Sequence, residues 1–151
     1  MGNLQIQWYP GHMTKTKRYI EKNIGMVDLV IEVADARVVQ SSRNPDFDRL
    51  LANKKRLTVL TKKDLADEKI NQKWDAYFKS IGVPVLFLNS TTGQGVSDIL
   101  PKVRELLAEP LARAKAKGMT KTIRLMMCGV PNSGKSTLIN ALCKRRATET
   151  Q

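Results

Sequence analysis

The most constraining feature of this chain is Gly129-Val130-Pro131-Asn132-Ser133-Gly134-Lys135-Ser136, with Thr137 next. It matches G-x-x-x-x-G-K-[ST]; an apolar run, Ile123 to Cys128, precedes it, and from Lys135 a stretch follows with Leu138, Ile139 and Leu142 at helical spacing. Strand, glycine-rich turn and helix in that order make a phosphate-binding loop. The glycines let the backbone wrap a β-phosphate with its N–H groups inward, and the helix N-terminus adds partial positive charge at the same point. Asn132, Ser133, Gly134, Lys135, Ser136 and Thr137 are therefore candidates to hold a nucleoside phosphate. Lys135 would reach the β- and γ-phosphates, and the Ser136 hydroxyl would ligate Mg²⁺. The bland alternative, a glycine-rich turn with a surface lysine, does not account for the flanking strand and helix.

Three further apolar runs, Leu29 to Ala34, Leu57 to Leu60 and Val85 to Leu88, read as strands beside Ile123 to Cys128. Their near-continuous hydrophobicity suits parallel strands covered on both faces. Each is followed by a helical pattern. Asn44-Pro45 opens one that carries Phe47, Leu50 and Leu51; Asp67 opens another with Ile70, Trp74, Tyr77, Phe78 and Ile81. Val96, Ile99, Leu100, Val103, Leu106 and Leu107 form the cleanest 3.6-residue stripe. Met13, Ile20, Ile24 and Val27 would align on an N-terminal helix. The expected fold is α/β, a doubly wound, mostly parallel sheet. One domain fits 151 residues. Its parts are a basic helical segment at 1–27, strands and helices at 28–108, a basic and partly helical connector at 109–122, and the phosphate-loop strand and helix at 123–151.

Thr61-Lys62-Lys63-Asp64 directly follows the second strand. A carboxylate there can accept both the N1–H and the N2–H₂ of guanine, whereas adenine would leave a buried Asp64 facing a ring acceptor. The Lys62 stem could lie over the purine. Alone, this string reads as a solvated charged turn. Asn89-Ser90-Thr91 after the next strand raises its weight, because loops at the carboxyl edge of a doubly wound sheet share one ligand crevice. Residues 28–108 thus form a guanine-reading half, and GTP or GDP is the expected nucleotide.

The order TKKD, NST, GVPNSGKST resembles a circularly permuted GTPase, in which the guanine-reading loops precede the phosphate loop. Trp8-Tyr9-Pro10-Gly11-His12-Met13, Asp35-Ala36-Arg37 and Ser41-Ser42-Arg43-Asn44-Pro45 further resemble the bacterial ribosome biogenesis GTPase A family, over essentially the whole chain. That family usually has Asn in place of Thr61. The resemblance implies GTP hydrolysis, assembly of the large ribosomal subunit, and contact with its RNA. It also implies a switch I threonine, a D-x-x-G loop and a helical RNA-binding region after the phosphate loop, none of which occurs in these 151 residues. The chain is accordingly expected to be a partial domain that binds GTP or GDP with Mg²⁺ but hydrolyses GTP poorly. The alternative is a nucleotide-binding or RNA-interaction fragment without competent hydrolysis. Ile123 to Cys128 would then be an exposed apolar edge.

His12 could position water in hydrolysis, as a candidate catalytic residue, or simply stabilise its loop beside Trp8 and Tyr9. Asp35 and Arg37 could contact the crevice or form a structural pair fixing the loop after their strand. Lys plus Arg number 26 against 14 Asp plus Glu, with clusters at Lys15 to Lys22, Arg113 to Lys121 and Lys144 to Arg146. Such an excess favours a polyanionic partner, which the family resemblance implies is ribosomal RNA, held through its phosphates; DNA is not expected. No apolar run approaches the ~20 residues of a membrane span, and Met1-Gly2-Asn3-Leu4-Gln5 is no secretory signal. Two cysteines without metal-ligand spacing fit a reducing cytoplasm.

Overall fold

Leu29–Asp35 is buried at every position, as an apolar segment covered on both faces must be. It is the central strand of a five-stranded, wholly parallel sheet in the computed structural model, which describes residues 4–9, 18, 20–39, 49, 51–89 and 95–128. The strands are β1 (Leu4–Tyr9), β2 (Leu29–Asp35), β3 (Arg56–Thr61), β4 (Val85–Phe87) and β5 (Ile123–Cys128), in the spatial order β1-β5-β2-β3-β4. Four of them are the runs expected from sequence. The fifth, β1, lies within the segment read as helical and pairs β5 from Leu4↔Ile123 to Tyr9↔Cys128. Strand β5 is therefore not the exposed edge anticipated for it: β2 lies on one side and β1 on the other. The alternation of Leu4, Ile6 and Trp8 with Gln5 and Gln7 is the period-two signal that marks an additional strand.

Side-chain alternation along the strands builds apolar clusters on both faces of the sheet. Leu29, Ile31 and Val33 of β2, Leu57 and Val59 of β3, and Leu125 and Met127 of β5 share one cluster. It is closed by Ile99, Leu100, Val103 and Leu107, which belong to helix α2 (Ile99–Leu106) and its C-cap. The intervening residues face the other way: Val30, Met126 and Cys128 pack with Ile20, Val27 and Leu51, and Ala34 and Leu60 pack with Phe78. Phe78 sits on helix α1 (Glu68–Ser80), whose N-cap Asp67 accepts a hydrogen bond from the Lys69 N–H at 2.9 Å. Asp67 thus starts this helix as its sequence predicts.

The apolar stripe read along α1 is only partly buried. Ile70, Tyr77 and Ile81 are exposed, while Phe78 and the polar Asn71 are buried. The sheet covers only the flank through Phe78, and Trp74 and Tyr77 stack around that ring with centroids 6.1 and 5.4 Å from it. The connector at 109–122 is helical in its first half, α3 (Ala108–Ala116). It ends where Gly118 takes φ +73° and donates to the Lys115 carbonyl while Met119 donates to Ala114, a Schellman turn that needs a residue tolerant of the left-handed region. No described helix is long and apolar enough to cross a membrane.

Candidate nucleotide-binding site

Parallel strands place all their carboxyl ends on one edge of the sheet, and loops from that edge converge. Asp35 at the end of β2 pairs in register with Thr61 at the end of β3. Leu60 pairs with Phe87 of β4, and β5 ends at Cys128 beside Glu32 of β2. The loop carrying Thr61, Lys62, Lys63 and Asp64 therefore leaves the sheet between the ends of β2 and β4.

Backbone bonds hold that loop down. The Leu88 N–H donates to the Leu60 carbonyl at 2.8 Å, and the Lys63 N–H donates to the Leu88 carbonyl at 2.9 Å. These bonds bring the turn that bears Asp64 against the strand end that precedes Asn89. The Asn71 side-chain amide then donates to the Lys63 carbonyl at 3.3 Å, which explains a buried asparagine on the inner flank of α1. Lys62 adopts φ 61°, ψ 35°, a left-handed conformation costing a residue with a Cβ roughly 1 kcal/mol or more. Such local strain persists only where surrounding contacts fix the backbone.

Asp35 supplies part of that fixation. Its carboxylate, 6% exposed, accepts from the Arg37 N–H at 2.9 Å, from Arg37 Nε at 3.0 Å and Nη2 at 2.7 Å. Lys62 Nζ approaches the same carboxylate at 3.3 Å. Of the two roles open to Asp35 and Arg37, this geometry realises the structural pair, and extends it to Lys62. The Arg37 hydrogen bond dominates in lowering the Asp35 pKa from 3.8 to about 2; burial opposes it, and the Arg37 N–H and Lys62 add to it. The Arg37 pKa is raised, chiefly by Asp35, with the charge of Asp64 contributing.

Thr61 is buried and donates its hydroxyl to the Ala34 carbonyl at 3.2 Å, so it ties β3 to β2. Asp64 is exposed on a single 3₁₀ turn, Lys63–Leu65. The turn places it beyond Thr61, the last paired residue of the strand. Asn89 is half-buried. Ser90, Thr91, His12 and the phosphate loop with Asn132, Ser133, Gly134, Lys135, Ser136 and Thr137 lie outside the described residues. No group of three or more His, Cys, Asp or Glu that could hold a metal occurs among the described residues.

One positioning residue escaped sequence reasoning. Gly95 has φ +96°, and a Cβ there would lie 2.7 Å from the Phe87 carbonyl oxygen and 2.8 Å from Leu88 Cδ2. The chain after the Asn89 loop thus returns tightly against the end of β4. The glycine-rich string Thr91-Thr92-Gly93-Gln94-Gly95 was its available signal.

Comparison with known proteins follows the same lines. A family described as 50S ribosome-binding GTPase matches residues 124–151. Ribosome biogenesis GTPase A of Bacillus licheniformis is 44% identical over 146 residues, covering 96% of this chain and 52% of that protein. Mitochondrial ribosome-associated GTPase 1 of Mus musculus is 42% identical over 142 residues, 93% of this chain and 43% of its own. The crystal structure of GNP-bound YlqF from T. maritima superposes with a TM-score of 0.63 at 32% identity, over 85% of this chain and 47% of that one. The GDP-bound structure of the same protein gives 0.60 at 31% identity, over 82% and 46%. Along nearly all of its length the chain is a homologue of the circularly permuted ribosome biogenesis GTPases A, and it spans about half the length of those curated relatives.

Proposed function

We propose that this chain binds GTP or GDP at the carboxyl edge of its sheet, as part of a GTPase that acts in assembly of the large ribosomal subunit and contacts ribosomal RNA. The observation that carries the nucleotide reading is the 2.9 Å bond from the Lys63 N–H to the Leu88 carbonyl. It joins the Asp64 turn to the strand leading into Asn89, giving two base-reading loops one origin. Asp64 accepts the two guanine N–H groups, and Lys62, held by Asp35, walls the purine. Asn89, Ser90 and Thr91 close the base from the neighbouring strand. The loop from Asn132 to Thr137 holds the phosphates, with Lys135 on the β- and γ-phosphates. Ser136 would be the protein ligand of Mg²⁺, which when bound would neutralise phosphate charge there. Support for the base comes from relatives whose solved structures carry GNP and GDP; support for the ribosomal role comes from the names of the relatives.

Calorimetric titration with GDP and ADP tests this reading, on the native chain and on Asp64→Asn. GDP is expected to bind far more tightly than ADP. The substitution should weaken GDP roughly 100-fold, since two charge-assisted hydrogen bonds are lost, and should admit xanthosine diphosphate. ADP binding as well as GDP, or Asp64→Asn leaving GDP affinity unchanged, defeats the assignment.

A further inference from the structure

We propose that the amino edge of the sheet, the end opposite the nucleotide loops, is a docking surface for the phosphodiester backbone of RNA. This rests on the RNA-contacting role proposed above and says where that contact is made. Two hollows lined by described residues open on this edge. The larger, about 620 Å³, lies between α3 and the starts of β2 and β5, and is lined by Arg113, Lys117, Lys121 and Arg124 against one carboxylate, Asp28. The smaller, about 470 Å³, lies at the start of β3 and is lined by Lys54, Lys55 and Arg56 with no carboxylate.

The bonding of Asp28 decides how much of this charge is neutralised at home. One oxygen accepts the Arg124 backbone N–H at 2.9 Å and the other pairs with Lys121 Nζ at 3.0 Å. Both oxygens are thus committed to holding the start of β5. Arg113, Lys117 and the Arg124 guanidinium have no carboxylate partner among the described residues. In the smaller hollow Lys55 Nζ donates to the Leu106 carbonyl at 2.9 Å, which orients the ammonium without cancelling it. These cations also stand on ordered backbone: Lys117 is the C-cap of α3 and is followed by the Schellman turn at Gly118, and Arg124 lies within β5. Less ordering is then lost when a phosphate arrives.

The shape favours a nucleic-acid backbone over a lipid surface. The cations rim concave hollows, and the large apolar side chains exposed beside them are Met26 and Met119 in the larger and Ile81 in the smaller, not the continuous apolar face by which a helix lies in a bilayer. The seven residues of β2 separate this edge from the nucleotide loops by about 20 Å, so both ends can be occupied together.

Fluorescence anisotropy of the whole chain with a labelled 20-base-pair RNA duplex between 50 and 200 mM salt is the test. Arg113→Ala/Lys117→Ala is compared with Lys69→Ala/Lys73→Ala, which removes the same charge from exposed positions of α1. The first pair should weaken binding about tenfold or more and flatten the dependence of log K on log salt by about 1.8, as expected for two lost phosphate contacts on a duplex. The α1 pair should do far less, and both variants should melt with the native protein. Equal losses from the two pairs mean that net charge alone binds RNA, and overturn the proposal. So does an unchanged affinity in Arg113→Ala/Lys117→Ala, which leaves the RNA role intact but removes its surface. A native chain that does not bind the duplex at 50 mM salt removes the RNA role itself. Loss of binding to phosphatidylserine vesicles with RNA affinity retained assigns the edge to a membrane and also overturns the proposal.

Discussion

Asp35 gathers three donors from Arg37 and one from Lys62 on a nearly buried carboxylate. Its pKa is held near 2, below the ordinary 3.8, chiefly by the Arg37 side-chain hydrogen bond. The lowered value means that the ionised form is favoured by folding. The resulting stability is fully present above pH ~4 and is lost as pH falls through about 2. Removing the charge by Asp35→Asn should cost roughly 2 kcal/mol at pH 7, and the difference from the native chain should shrink between pH 4 and 2 in urea denaturation. A constant difference across that range would show that the carboxylate is not what Arg37 and Lys62 stabilise. The Asp35–Arg37 half of this cluster is legible in the sequence, since residues two apart meet in a turn. The Lys62 half is not. It exists because β2 and β3 pair in the register that sets Asp35 opposite Thr61, and register is a property of two strands together.

Among the described elements, the junction between β4 and α2 is tightly packed at Gly95. Gly95 combines a left-handed backbone with contact against the Phe87 carbonyl, so Gly95→Ala meets both strain and a clash with backbone that cannot yield. A loss of roughly 2 kcal/mol or more is expected, measured by denaturant unfolding. Guanine-nucleotide affinity should fall with it, because the same return path holds the end of β4 that leads into Asn89. Gly118→Ala is the comparison, since nothing lies within 4 Å of its Cβ position and only the φ penalty of about 1 kcal/mol applies. Element type was well signalled here: Asp67 caps α1, and Val96 to Leu107 contains α2 behind a short 3₁₀ turn. What the patterns overstated was burial. Ile70, Tyr77 and Ile81 continue the stripe of α1 in sequence, but one helix on a twisted sheet buries only the arc that faces it, and these three stay exposed.

For the whole molecule, the two edges of the parallel sheet carry opposite tasks in the functional reading, nucleotide at the carboxyl ends and phosphodiester at the amino ends. Nucleotide binding at the carboxyl edge should stabilise the entire fold, because β2, β3, β4 and β5 all end there. GDP with Mg²⁺ at 100 times its dissociation constant adds about 2.7 kcal/mol, which for a domain of this size raises the melting temperature by roughly 5–10 °C. Lys135→Ala should abolish that rise without lowering the melting temperature of the nucleotide-free chain. A preserved rise in the variant would remove Lys135 from the phosphate site.

From the sequence alone came the parallel α/β class, four of the five described strands and the helix starting at Asp67, because each is written in local spacing: continuous apolar runs and a capping residue. The permuted order of the loops came from resemblance to a known family. Strand order, the place of β1 beside β5, the clamp of Asp35 on Lys62 and the exposure of Asp64 were decided only by the tertiary structure. Each of these depends on which segments distant in the chain hydrogen-bond to one another, and no local pattern of residues encodes that choice.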